Sequence, residues 1–410
     1  MPEPITWYAL GRDVNDTETI EEAIDAGILA HNLDPSAHGQ ENESVYEHRA
    51  AELLDHVNYS IYNIKTNPAA RVYKAIVSTG VEGDFTTLQA AIDWANLYGG
   101  GTVFIKAGIY VLNADLVLYS NIKLLGEDQD LTILDFQGGE YTIYAQGTSG
   151  THKRNIELQD LQITNCGLQE GQALKLIYCD DCTIYRVKIT DTYYASDRIG
   201  FAIYLSHCVR VEIKNCYLLD NDAGIHLHDC SHIDVEFNYI YNTYADTLYF
   251  IASPNTIFRH NLLETNGRVG AESYIYFGSN CDNSVIDSNF FLTGRTTCIW
   301  NEVGSKIVIT NNVFTVADAT DYALNLNDND RMIIANNRIY GFDDSGIYLV
   351  ASNVRCVISN NVVTNCGGYG IEIVAASNAD LAVIGNVLYN NASGGVVDGG
   401  TGDEVAHNVT

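Results

Sequence analysis

Residues 211 to 410 repeat, and that repeat restricts the fold more than any other feature of the chain. The pattern is an apolar residue, two or three intervening residues, then Asn. It occurs at Val211-Glu-Ile-Lys-Asn215, Val235-Glu-Phe-Asn238, Ile257-Phe-Arg-His-Asn261 and Ile286-Asp-Ser-Asn289. It continues at Val308-Ile-Thr-Asn-Asn312, Ile334-Ala-Asn-Asn337, Ile358-Ser-Asn-Asn361, Val383-Ile-Gly-Asn386 and Val405-Ala-His-Asn408. The Asn-to-Asn steps are 23, 23, 28, 23, 25, 24, 25 and 22 residues. A period of this length is the mark of a solenoid.

The content of each repeat selects the kind of solenoid. Short apolar alternations such as Ile225-His-Leu227 and Ile371-Glu-Ile373 recur, and no repeat carries a helix-length apolar stripe. They are rich in Ile, Val and Tyr, and are separated by Asn, Asp, Gly and Ser, which favour turns. The expected fold is therefore all-β: a right-handed single-stranded parallel β-helix of about eleven coils. Asn215, Asn238, Asn261, Asn289, Asn312, Asn337, Asn361, Asn386 and Asn408 are expected to point inward at a corner and bond the neighbouring backbone. That role is structural.

Charged groups make up 18% of the 410 residues, yet the net charge is −30. Nucleic acid is excluded as a partner, since it needs a basic footprint. No apolar run approaches the length of a membrane span. Met1-Pro-Glu-Pro-Ile-Thr-Trp7 lacks the basic and apolar regions of a signal peptide. Cys179, Cys208, Cys230 and Cys281 recur at one place in their coils, which predicts a buried column of reduced thiols. Cys179-Asp-Asp-Cys182 has no second pair or His cluster to complete a zinc site. No metal or other cofactor is expected; Ca2+ is left open, with no motif that indicates it.

Residues 1 to 72 differ in kind. Thr17 to Ala30 and Val45 to His56 read as amphipathic helices opened by Thr19-x-x-Glu22 and Ser44-x-x-Glu47. Two such helices cannot build a core alone. Between them, Ala30-His-Asn-Leu-Asp-Pro-Ser-Ala-His38 resembles a run found in the attachment regions of bacteriophage tail-fibre and tail-spike proteins. The resemblance implies that residues 1 to 72 contact other virion or tail proteins.

Residues 73 to 125 carry Gly83-Asp-Phe-Thr-Thr-Leu-Gln-Ala-Ala-Ile-Asp-Trp-Ala95 and Gly99-Gly-Gly-Thr-Val-Phe-Ile-Lys-Ala-Gly-Ile-Tyr110. These resemble the start of the pectate-lyase-like superfamily, in which a short helix plugs the N-terminal end of the solenoid. Leu88, Ala91, Ile92 and Ala95 form a stripe fit to cover that apolar end. Residues 126 to 410 supply the coils. The superfamily hosts lyases, hydrolases, epimerases and non-enzymatic spikes, so the resemblance fixes the fold and leaves the activity open.

Period-2 alternation also predicts a surface. If the apolar residues of the strand following each Asn corner point inward, the residues between them face out. That outward column reads Lys175, Tyr204, His226, Tyr249, Tyr276, Trp300, Asn325, Tyr348, Glu372. Tyr204, His226, Tyr249, Tyr276, Trp300 and Tyr348 are the carbohydrate-contact candidates, although subunit contact or ring stacking would use the same residues. Asp222, His226, His228, Asp246, Glu272 and Arg198 are the acid, base and charge-neutralising candidates. A hydrolase would pair Asp222 with Asp246 or Glu272, and His226-x-His228 has the alternation of a metal pair. The insertions 190–200, 265–273 and 316–322 flank this face. The chain has no Asp-Pro-His triplet of the mannuronan epimerase modules, nor the paired motifs of polygalacturonases.

The resulting expectation is a virion or extracellular tail-spike-like homotrimer contacting host-surface polysaccharide. The alternatives are a stand-alone polysaccharide lyase, C-5 epimerase or glycoside hydrolase, and a non-catalytic structural or adhesive protein.

Overall fold

The computed structural model describes residues 75–80, 83–167, 172–192, 200–264, 273–292, 297–316 and 321–410. The segment 1 to 72, with its two expected helices, lies outside the described residues.

Thirty-nine short strands and one helix make up the regular structure of the described residues. Each strand pairs in parallel with the strand one coil away, as Val308–Thr310 does with Ile333–Ala335. One wall is a twelve-stranded sheet running coil by coil from Leu116–Val117 to Gly394–Asp398. The chain thus has one coil more than expected. In Gly394-Gly-Val-Val-Asp398 glycine replaces the usual apolar alternation, so the last coil reads as irregular, yet it pairs in register with Tyr369–Ile373. The other walls merge into a sheet of 25 strands. In the later coils two short strands flank each corner, whereas Glu157–Thr164 and Cys179–Thr190 run continuously.

The interior is columns of Ile, Leu and Val. Ile203, Ile225, Leu248, Ile275, Ile299, Leu324, Ile347 and Ile371 succeed one another in one wall, all fully buried. Asparagine settles the corner. Asn312 receives the backbone N–H of Asn289 at 2.9 Å and the side-chain N–H of Asn289 at 3.0 Å on its Oδ1. Its own Nδ2 donates to the Ile286 carbonyl at 2.9 Å. The same bonds run from Asn238 through Asn261, Asn289, Asn312, Asn337, Asn361 and Asn386 to Asn408. Each buried amide is thereby satisfied, as burial demands.

Asn215 is not in this ladder. Ile213 pairs with Val235, which places Cys216 opposite Asn238, and the Cys216 N–H donates to Asn238 Oδ1 at 2.9 Å. Asn215 occupies the preceding position, where φ is 55°. That position is left-handed in every later coil too, at Phe237, His260, Ser288, Asn311, Asn336, Asn360, Gly385 and His407. Short polar residues tolerate this region best, which is why Asn is common there as well. A second ladder, Asn329–Asn353–Asn378, follows strands of the twelve-stranded sheet and was not anticipated.

Helix α1 (Leu88–Leu97) buries Leu88, Ala91, Ile92 and Ala95, the predicted stripe. Its Gln89 also treats Val117 as a neighbouring strand would. Gln89 Oε1 accepts the Val117 N–H at 2.8 Å and Gln89 Nε2 donates to the Val117 carbonyl at 3.2 Å. The helix thus occupies an edge that would otherwise stay open to pairing. The turn after α1 needs glycine: Gly100 has φ of 99°, and a Cβ there would lie 2.4 Å from the Asn121 carbonyl oxygen.

All ten cysteines are buried free thiols. Burial pushes the Cys216 thiol up to about 12, and those of Cys281, Cys356 and Cys366 up to about 11. A thiol raised so far carries almost no thiolate at neutral pH and is inert.

Two outcomes are expected. Asn312→Ala removes the acceptor that serves two buried N–H groups and should lower unfolding stability by about 2–3 kcal/mol, whereas Asn215→Gly should cost far less; thermal melting compares them. Native protein at pH 8 should leave all ten thiols unreacted with a disulfide reagent, and the denatured chain should release all ten.

Candidate functional site

The outward face of the twelve-stranded sheet carries the predicted column in unbroken register. Lys175 pairs with Tyr204, and the series continues through His226, Tyr249, Tyr276, Trp300, Asn325, Tyr348 and Glu372. Every member is half-buried. Inward neighbours such as Leu227 and Phe250 fill the core, so the alternation leaves these rings no other side to occupy.

The rings touch along the run. Tyr204 and His226 meet edge to face with centroids 5.0 Å apart, as do His226 and Tyr249. Tyr249 and Tyr276 are stacked at 4.7 Å, and Tyr276 meets Trp300 edge-on at 6.2 Å. The Tyr276 hydroxyl donates to Glu302 Oε2 at 2.6 Å. At one end the Lys175 ammonium lies 5.8 Å from the centre of the Tyr204 ring. At the other, Asn325 interrupts the run. Tyr348 instead stacks on Tyr322 at 4.4 Å, which separates it from the other five aromatic candidates.

His226 lies at the middle of this packing, with Phe201 at 4.7 Å as a further neighbour. Both ring nitrogens are buried without a hydrogen-bond partner. Burial, with His228 nearby, pushes its pKa down to about 4, so the ring is neutral at physiological pH.

Among the described acid and base candidates, Asp222 and Asp246 sit on adjacent coils, just before the strands that carry His226 and Tyr249. Asp222 is buried and its Oδ2 accepts the Gly200 N–H at 3.2 Å. Asp246 Oδ1 accepts the Ser273 N–H at 3.3 Å. Both carboxylates hold backbone where a loop re-enters the sheet, the behaviour of ordering groups. Arg198 and Glu272 lie outside the described residues, as do most of the three insertions. His228 and His226 have ring centroids 6.2 Å apart, but His228 Nδ1 faces Asp229, with Oδ2 at 3.4 Å.

Sequence reasoning missed the foot of the column. Tyr144 pairs with Lys175, and the two line a cavity of about 250 Å³ with Asp115, Glu140 and Gln172. These residues precede the clear repeat, so no periodicity aligned them. Phe201 was missed too, because its contact with His226 depends on how two coils overlap.

The geometry defines a class first: a single-chain parallel β-solenoid with one aromatic outward face. The chain belongs to the right-handed β-helix family, whose model, described as "Right handed beta helix region", matches residues 141–314 and 275–410. No curated protein matches by sequence. Among solved structures, the mannuronan C-5 epimerase AlgE6 A-module of Azotobacter vinelandii superposes with a TM-score of 0.68 at 16% identity, covering 78% of this chain and 93% of its own. The catalytic unit of a thermostable GH87 alpha-1,3-glucanase from Streptomyces thermodiastaticus gives 0.59 at 15%, covering 78% and 66%. Bacteriophage CBA120 tailspike protein 3 gives 0.49 at 13%, covering 80% and 59%. At these identities the likeness is one of coil architecture. The fold is pectate-lyase-like, as the residues around α1 led us to expect.

Proposed function

We propose that the protein binds a polysaccharide along the outward face of the twelve-stranded sheet, as a trimeric tail-spike-type appendage displayed on a particle surface. The observation that carries the binding reading is the unbroken run Tyr204, His226, Tyr249, Tyr276 and Trp300. At roughly 4.8 Å between strands the run is about 20 Å long, enough for several sugar rings. Scattered surface aromatics need no explanation, but a contiguous stripe does. Aromatic faces suit the apolar faces of sugars, and tyrosine hydroxyls add polar partners. The appendage part of the reading draws on the resemblance of residues 30 to 38 and on a net charge of −30, which keeps a surface-displayed protein soluble.

Binding is favoured over catalysis by magnitude. A general base works best with a pKa near the operating pH, and His226 at about 4 is far below it. Asp222 and Asp246 already hold backbone. Of the acid and base candidates, His228, Arg198 and Glu272 then remain for a lyase, epimerase or hydrolase.

Affinity electrophoresis against a panel of bacterial surface and acidic polysaccharides tests the proposal. Tyr249→Ala and Trp300→Ala should each weaken retention by about 1–3 kcal/mol, with melting curves verifying that each variant is folded. Unchanged retention in both variants would remove the aromatic run from binding. New reducing ends, or an unsaturated product absorbing in the ultraviolet, would establish the enzymatic reading instead. Light scattering of the full chain should give a trimer, and a monomer would overturn the appendage reading.

A further inference from the structure

Beside the aromatic run, three donor atoms converge where two adjacent strands of the twelve-stranded sheet end. His207 follows Phe201–Ser206, and Asp229 follows Ala223–His228. Ser206 pairs with His228, so His207 and Asp229 are equivalent positions in successive coils. Both take left-handed backbone, with φ of 54° and 52°, and the His207 N–H donates to the His228 carbonyl at 2.9 Å. The main chain therefore fixes all three residues relative to one another.

The spacing is informative. Asp229 Oδ2 lies 3.4 Å from His207 Nε2 and 3.4 Å from His228 Nδ1, and one donor atom from each of the three residues lies within 4.8 Å of the other two. Good N–H···O bonds have their heavy atoms about 2.7–3.2 Å apart, so neither contact is one. A tetrahedral ion with bonds of about 2.0–2.1 Å holds its ligands about 3.3–3.4 Å apart. The second nitrogen of His207 supplies an independent sign. Nδ1 lies 2.8 Å from Ser206 Oγ, and in the tautomer that donates to that oxygen the Nε2 lone pair faces Asp229. Metal-binding imidazoles are commonly oriented by such an outer bond. Tyr178, with its ring centre 4.4 Å from that of His207, restrains the ring further.

We propose that His207 Nε2, His228 Nδ1 and Asp229 Oδ2 bind one Zn2+ ion, leaving a fourth position for water or a ligand oxygen. Two imidazoles and a carboxylate suit zinc, whereas Ca2+ and Mg2+ prefer all-oxygen sites. Asp229 is exposed, which gives an ion access from solvent. A net charge of −30 raises the local concentration of cations. The His228 and His226 rings are 6.2 Å apart, so the ion sits at the margin of the aromatic run. The site does not depend on the glycan reading.

The full chain, stripped with a chelator and titrated with ZnCl2 by calorimetry, should bind one ion per chain. Asp229→Asn and His228→Ala should weaken binding at least tenfold, and Ser206→Ala by about tenfold as an outer-bond loss. His152→Ala should bind as the unmodified chain does, and excess CaCl2 should not compete. Co2+ should give visible bands without thiolate charge transfer, which separates this site from the ten cysteines. Equal melting temperatures verify that each variant is folded, and Asp229→Asn, at an exposed position, keeps the test open if His228→Ala does not fold. A chain with no saturable zinc site, or zinc binding unchanged in both Asp229→Asn and His228→Ala, would overturn the proposal.

Discussion

Everything in this molecule depends on one coil lying in register on the next. Parallel ladders alone tolerate slippage, because a strand of Val and Ile offers similar contacts one residue pair further along. The Asn corner removes that freedom. Its amide fits where Oδ1 meets the N–H groups of one neighbouring coil and Nδ2 meets a carbonyl of the same coil. A slip of one position would leave a buried amide and a buried N–H without partners, at about 1–3 kcal/mol each. The apolar columns supply the bulk of the stabilisation, and the polar column specifies which arrangement they stabilise.

The aromatic face is a by-product of the same constraint. Tyr204, His226, Tyr249, Tyr276 and Trp300 are 22 to 27 residues apart in the chain, and only common register makes them neighbours. Coil length is free to vary, since a longer excursion between strands leaves the stacking positions unchanged. The step from Asn261 to Asn289 is 28 residues, yet Tyr249 and Tyr276 on that coil boundary remain paired. Variation is thus directed into loops while the sheet holds the rings.

The alternation and the corner Asn made the architecture and the outward column readable from sequence. Ile225-His-Leu227 leaves one choice of face for His226 once its flanking residues are committed to the core. The ladder's start was harder to place. Where a coil has two successive asparagines, as at Asn311-Asn312, one serves the left-handed turn and the next serves the ladder. At Asn215-Cys216 only the turn position is Asn, and sequence alone does not distinguish the two duties. Asn329, Asn353 and Asn378 escaped because no apolar frame surrounds them. His207 with Asp229 escaped because the contact joins different coils through side chains at strand ends, where the period-2 rule no longer applies. The pKa of His226 was also beyond reach, since its burial depends on rings contributed by the strands on either side.

The corner ladder has a direction. Each Asn oxygen serves the coil before it, so the polar groups of a coil remain open until the succeeding coil is laid down. Winding that advances from the amino end therefore closes its hydrogen bonds one turn late, and the growing tip always presents an unmet donor pair to whatever arrives next. A free tip of that kind favours addition of the adjoining turn over pairing with a distant segment, which gives the chain an internal order of assembly.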